Sequence, residues 1–328
     1  MTKPMFVIWS VIAMSLINAA AQSRPGPLMH TYSVVARDTE TGEMGVAVQS
    51  HWFSVGTIVS WAEAGVGVIA TQSLVNPAFG PEGLQYLKAG KKADEVLQLL
   101  IAGDDGRDYR QLAIVDAGGR VAAWTGAQCI ACAGHNTGEG FSVQANMMLQ
   151  ATVWPAMHAA FQSARGSLAE RMLTALEAAE AAGGDIRGRQ SAALLVVRAQ
   201  PTGRIWEDRL IDLRIEDHPD PVKELRRLLR VDQAYKHMNA GDLAIERRDE
   251  ITALREYGLA EQLFPENLEM RYWHAVSLAN IGKLDEAQRI FQEVFQRDNN
   301  WRILTERIQA VGLLNVNQQQ LRVLTAGK

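Results

Sequence analysis

Three runs, "MGVAVQS" (44–50), "VGVIATQS" (66–73) and "SAALLVV" (191–197), are apolar at almost every position, and the first two end in Gln-Ser. A strand with one face in water alternates apolar and polar residues. A strand that is apolar on both faces must be covered on both. Several such strands exclude a single half-exposed sheet and predict sheets stacked between helical layers.

The flanking sequence supplies those layers. "TYSVVA" from Thr31 is β-rich, and "DTETGE" after it is turn chemistry, with Asp38 set to cap the turn and Gly42 free to take positive φ. Antiparallel pairing about that turn predicts Thr31 beside Ser50, with His51 at the same open end. "GPEGLQYLKAG" and "KADEVLQLLIAG" have helical spacing and stop at glycines. A hairpin follows, "RQLAIVD", the turn "AGGR" and "VAAWTG", and beyond Asn146 the pattern is helical through Ala164. A second helix starts at Ser167, where Ser167 and Glu170 form a capping box, and "LIDLRI" is a last strand.

From "DPVKELRRLL" onward the pattern is all helical and repeats. Ala253, Tyr257, Ala260 and Pro265 recur 34 positions later as Ala287, Phe291, Val294 and Asn299, with "ANIGKLDEA" as a turn. That period is the tetratricopeptide spacing, in which small residues let paired helices approach and an aromatic locks each pair to the next. A capping helix is predicted over Trp301 to Leu324.

At the start, "MTKPMFVIWSVIAMSLINAAAQ" has one lysine, an apolar run from Phe6 to Ile17, and three alanines before Gln22. This is the layout of a secretory signal peptide cleaved after Ala21, too short to span a bilayer comfortably, so a periplasmic or secreted protein with no later membrane span is expected. The expected division is signal peptide 1–21, linker 22–30 around "SRPGP", a first domain 31–229, and helical repeats with a capping helix 230–328. A net charge of -4 with no basic cluster argues against nucleic acid as a partner.

No zinc-protease helix motif, nucleophile elbow or phosphate-cradling glycine loop occurs, so no metal and no cofactor is expected. Cys129 and Cys132 form a lone C-x-x-C, read as a local disulfide or two small thiols. His218, His237 and His274 are read as surface or interhelical residues. What remains is a polar set in glycine-rich, otherwise apolar sequence: Thr31, Ser33, Ser50, His51, Gln72, Asn76, Thr125, His135 and Asn146.

The blocks that carry this set, "HTYSVVARDTETGEMGVAVQSHWFSVG", "WAEAGVGVIATQSLVNPAFGPEGL", "RQLAIVDAGGRVAAWTGAQC", "AGHNTGEGFSVQANMM", "GGDIRGRQSAALLVV" and "DPVKELRRLL", resemble in order the family called domain of unknown function 1028. The resemblance covers about Thr31 to Leu229. It implies an α+β fold, the four-layer α-β-β-α sandwich of the N-terminal-nucleophile (Ntn) hydrolase type, here followed by the all-α tetratricopeptide-like repeat. In family members without a signal peptide, the equivalent of Thr31 directly follows the initiator Met.

A threonine hydroxyl becomes a useful nucleophile when a base takes its proton, and a free α-amine on the same residue can serve. The expected chemistry is hydrolysis of an amide bond in a small molecule or peptide by Thr31. The oxyanion would be held by Asn146 or a backbone amide near Gln72, with His51 beside them. Ser50, Asn76 and His135 are expected to line the substrate, and Arg187 and Arg189 to bind a carboxylate. The alternative is a catalytically silent envelope scaffold that uses the helical repeats to hold protein partners.

Overall fold

The computed structural model describes residues 28, 29 and 31–326; the signal peptide expected over 1–21 and most of the linker lie outside the described residues. The described residues begin with β1 (Leu28–Met29), β2 (Thr31–Arg37) and β3 (Met44–Ser50), then a single turn α1 (Gly56–Val59), β4 (Ser60–Glu63) and β5 (Gly67–Leu74). Helices α2 (Phe79–Lys88) and α3 (Ala93–Ala102) precede β6 (Arg110–Asp116), β7 (Val121–Thr125), β8 (Gly134–Gly138) and β9 (Phe141–Ala145). Then come α4 (Val153–Ser163), α5 (Leu168–Ala181), β10 (Ser191–Val197), a short α6 (Ile205–Asp208), β11 (Arg209–Ile215) and the long α7 (Pro221–Glu246). The C-terminal helices are α8 (Glu250–Leu263), α9 (Leu268–Asn280), α10 (Leu284–Arg297), α11 (Asn300–Ala310) and α12 (Gln318–Thr325).

The β2–β3 hairpin forms because its turn satisfies itself. Asp38 Oδ1 accepts the amides of Glu40 and Thr41 at 2.9 and 2.8 Å, and Gly42 takes φ 74° where a Cβ would lie 2.8 Å from Ala199. The register pairs Thr31 with Ser50, as the turn chemistry predicts. The Ser167/Glu170 capping box that opens α5 is also present.

Two antiparallel sheets result. The first runs β1-β5-β6-β7, with β4 also on β5; the second runs β11-β10-β3-β2-β9-β8. Alternate residues of each strand point to opposite faces, so each apolar run feeds two cores. Val35, Val46 and Val48 meet Val68, Ala70, Ala113 and Val115 between the sheets. On the far side of the first sheet, Ile69, Leu112 and Ile114 pack under Val96 and Leu100 of α3. On the far side of the second, Val34, Ala47 and Leu194 pack under Met172, Leu173 and Leu176 of α5. The runs are apolar throughout because both of their faces are buried.

α7 packs on β10, β11 and α5 at its start and on α8 at its end, so the expected boundary at residue 229 falls inside one continuous helix. In the helical region Ala253, Tyr257 and Ala260 are buried on α8, and 34 positions on Ala287, Phe291 and Val294 are buried on α10. A Cβ at Gly241 would lie 2.5 Å from the Tyr257 ring, so the small residue is what lets α7 and α8 approach. The single capping helix expected over Trp301–Leu324 is instead two helices. The chain turns at Gly312, at φ 79°, and Asn317 caps the new start.

Candidate functional site

The layer between the sheets is apolar at one end and polar at the other. By strand alternation, Thr31 and Ser33 continue the face of Val35, Ser50 continues that of Val48, and Ser191 that of Ala193. From the first sheet, Gln72 continues the face of Ala70 and Gln111 that of Ala113. Thr31, Ser33, Ser50, Gln72, Gln111, Gln144, Asn146 and Ser191 are all buried. Buried polar groups must be paired: the side chains of Ser33, Gln72, Gln111, Gln144 and Asn146 bond one another or the Thr31 carbonyl, and Ser191 Oγ donates to the Trp52 carbonyl and accepts the Val55 amide.

Thr31 is held by its carbonyl. The Asn146 backbone amide donates to it at 3.1 Å, Asn146 Nδ2 at 3.3 Å and Gln72 Nε2 at 3.4 Å. Asn146 Nδ2 also donates to Gln111 Oε1 at 2.9 Å, so its side chain anchors the strand end that carries Thr31.

From there a one-directional hydrogen-bond chain crosses the sheets. Ser142 Oγ donates to Gln144 Oε1 (2.9 Å), Gln144 Nε2 to Ser33 Oγ (2.5 Å), and Ser33 Oγ to Gln72 Oε1 (2.7 Å). Gln72 Nε2 donates to Gln111 Oε1 (2.5 Å) and Gln111 Nε2 to Thr125 Oγ1 (2.8 Å), which lies 2.8 Å from His135 Nδ1. Burial lowers the His135 pKa, favouring the neutral ring, whose Nδ1 accepts from or donates to the Thr125 hydroxyl according to tautomer. His135 opens onto a cleft shared with Thr125, Cys129, Cys132 and Trp154.

The other expected residues spread around this centre. His51 follows Ser50 but is exposed, its Nδ1 3.3 Å from the Arg189 carbonyl. The Arg187 guanidinium is held by Asp185 at 2.7 and 3.0 Å, and Arg189 pairs with Glu180 and with Asp220 at 3.3 Å. Asn76 is half-buried and accepts the Ala78 amide ahead of α2. The two interhelical histidines bond carboxylates, His237 to Glu256 at 2.7 Å and His274 to Glu261. Among the described residues no group of three or more His, Cys, Asp or Glu side chains is placed to hold a metal ion.

Gln111, Gln144, Ser142 and Ser191 belong to the polar centre and were not singled out from sequence. A signal was present: "VQS", "TQS", "RQL" and "VQA" place a glutamine near the end of four strands. Two non-glycine residues beside the centre, Ser73 (φ 72°) and Met147 (φ 59°), are left-handed, a conformation held only when the surroundings require it.

Cys129 and Cys132 are free and half-buried, and Cys129 Sγ donates to the Arg110 carbonyl at 3.4 Å. Burial pushes the Cys129 thiol up. In a Cys132→Ser variant, alkylation of Cys129 should therefore be slower than that of a free thiol at pH 8 and still be rising beyond about pH 9. A rate that levels off near pH 7 would contradict this and mark an activated thiolate.

Residues 31–225 match a family described as a family of unknown function, DUF1028. A crystal structure of a Silicibacter pomeroyi protein assigned to the same family is similar, with a TM-score of 0.55 and 33% sequence identity, covering 61% of this chain and 88% of that one. No curated protein matches the chain.

Proposed function

The chain belongs to the DUF1028 family of unknown function, and from that premise we propose that its first domain is an exported Ntn-type hydrolase of an amide bond in a small molecule or peptide. Thr31 is the nucleophile. The carrying observation is the anchoring of Thr31 at the polar end of the inter-sheet layer by three donors to its carbonyl. The stacking of helices, sheet, sheet and helices supports the Ntn reading of the fold. The chain pairs with the first sheet through Met29 and enters the second at Thr31, so a cut before Thr31 would leave a free amine where the sheets part.

That amine would take the hydroxyl proton as Oγ attacks the substrate carbonyl. The leaving amine departs protonated, and water then cleaves the threonyl ester. With its Nδ2 bonded to the Thr31 carbonyl and to Gln111, Asn146 positions the nucleophile, and the oxyanion falls to backbone amides at the polar end of the layer. Ser50 flanks Thr31 in register; His135 lies at the far end of the hydrogen-bond chain, facing the cleft. Export rests on the leader read over 1–21, and no helix of the described residues is long and apolar enough to cross a membrane.

A second reading is favoured by one observation: Thr31 is fully buried and internal, and its amide nitrogen is no base. Without processing, the domain is a silent envelope module. In either case the helical region, taken as a tetratricopeptide-like array from its 34-residue offset, is a surface for a protein partner. Intact mass and N-terminal sequencing of exported protein separate the two. A chain beginning at Thr31 supports the hydrolase, and one beginning at Gln22 supports the module.

A further inference from the structure

A cavity of about 300 Å3 opens between α7, α8 and α9 and shares no residue with the polar centre. Its walls are apolar: Ile245, Val276, Leu313 and the half-buried Trp273. Its polar groups are Asp242, Glu246, Tyr257, Ser277 and Asn280; Tyr257 donates to Asp242, and the Asn280 amide is bonded to Leu313 and Asn315, which leaves the two carboxylates and Ser277 to meet a ligand. Asp242 and Glu246 lie one turn apart on α7, where like charges repel by about 0.2–0.5 kcal/mol unless a cation sits between them. Ser277 of α9 also lines the cavity. It is 1% exposed, and its Oγ has no hydrogen-bond partner among the described residues. A buried hydroxyl left unpaired is costly, and a group that enters the cavity can pair it.

The donor that fits is a compact cation on an aliphatic stem. An ammonium carries three N–H donors and no acceptor, matching two carboxylates and a hydroxyl contributed by two helices. A guanidinium fork asks for both oxygens of one carboxylate and would have to sit on Glu246 alone, because one oxygen of Asp242 is taken by the Tyr257 hydroxyl at 2.7 Å, whereas a compact ammonium can bridge both carboxylates. Leu313 at the rim is 45% exposed and offers an apolar ledge that an adjoining peptide chain would cover and a free amine would leave bare.

We infer that this cavity receives a lysine side chain of a partner polypeptide, its stem against Ile245, Val276 and Leu313 and its ammonium on Asp242, Glu246 and Ser277. The inference rests on the reading of the helical region as a partner surface and names the chemistry that surface selects.

The test is calorimetric titration of the full chain with an acetylated, amidated Gly-Ser-Lys-Ser-Gly peptide, the same peptide with norleucine for lysine, and pentylamine. Lysine peptide should bind at least 10-fold more tightly than either control. Glu246→Gln and Asp242→Asn should each weaken it about 3- to 10-fold with the fold intact by circular dichroism. Ser277→Ala should weaken it too while raising the melting temperature of the free protein, because the orphaned hydroxyl is gone. Equal binding of lysine and norleucine peptides overturns the ammonium site and leaves the partner surface standing. Pentylamine binding as tightly as the lysine peptide overturns the polypeptide as its source. Binding of none of the three overturns the lysine site.

Discussion

A Thr31→Ala chain should keep its lead segment and lose amide hydrolysis by a factor on the order of 10³ or more, since removing a nucleophile leaves only what binding and the oxyanion donors supply. The fold should tolerate the change. The Thr31 carbonyl is bonded by Asn146 and Gln72, and alanine retains that carbonyl. Self-cleavage before residue 31 uses the same hydroxyl as turnover, so both should fail together, while Thr31→Ser should restore both in part. Intact mass reads the first outcome and a panel of N-acyl p-nitroanilides the second. Full hydrolysis by Thr31→Ala, or a mature wild-type chain that starts at Gln22 and is active, removes Thr31 from the mechanism.

Much of the frame of that site was legible in the sequence. Turn residues set Thr31 opposite Ser50, and a one-residue slip would exchange the side chains of the inter-sheet layer with those under the helices. Runs without alternation were strands with two buried faces, and the 34-residue offset fell on buried positions of α8 and α10. The polar centre was legible only in part, and the reason is parity. Gln49-Ser50 and Gln72-Ser73 look like matched strand ends, yet Ser50 and Gln72 face the inter-sheet layer and Gln49 faces away, buried with its amide unpaired among the described residues. Which residue of such a pair turns inward depends on the other sheet, and a single strand does not contain that information. β8 and β9 were missed for a related cause. "GHNTG" has no apolar period and becomes a strand by pairing with β9, which itself completes the edge of β2. Without those two strands, Gln144 and Ser142 had no visible route to Thr31.

The other large effect is expected where the first sheet is held shut. Arg110 and Asp104 form an ion pair with both side chains only 6% exposed, Nε to Oδ2 at 2.7 Å and a second contact at 3.3 Å. Asp104→Asn leaves the guanidinium buried without its counter-charge and should cost about 3–5 kcal/mol in urea unfolding at neutral pH. Burial alone would raise the Asp104 pKa, but the Arg110 hydrogen bond and the Gly106 amide outweigh it and hold the carboxyl below its ordinary range. A carboxylate whose pKa is depressed by folding contributes stability that is whole above its unfolded value, about 3.9, and lost as pH falls through the folded value. The gap between wild type and variant should therefore be flat from neutral pH to about pH 5 and close below about pH 4. A gap that widens in acid, or no gap at pH 7, would refute the assignment. The consequence reaches the proposed cut. Arg110 also donates to the Leu74 carbonyl, and Leu74 and Ser73 are the residues on which β1 pairs. Loosening Arg110 should speed amide exchange at the end of β5 and release Leu28–Met29 more readily, so the variant that loses stability should be processed before Thr31 faster than the wild type.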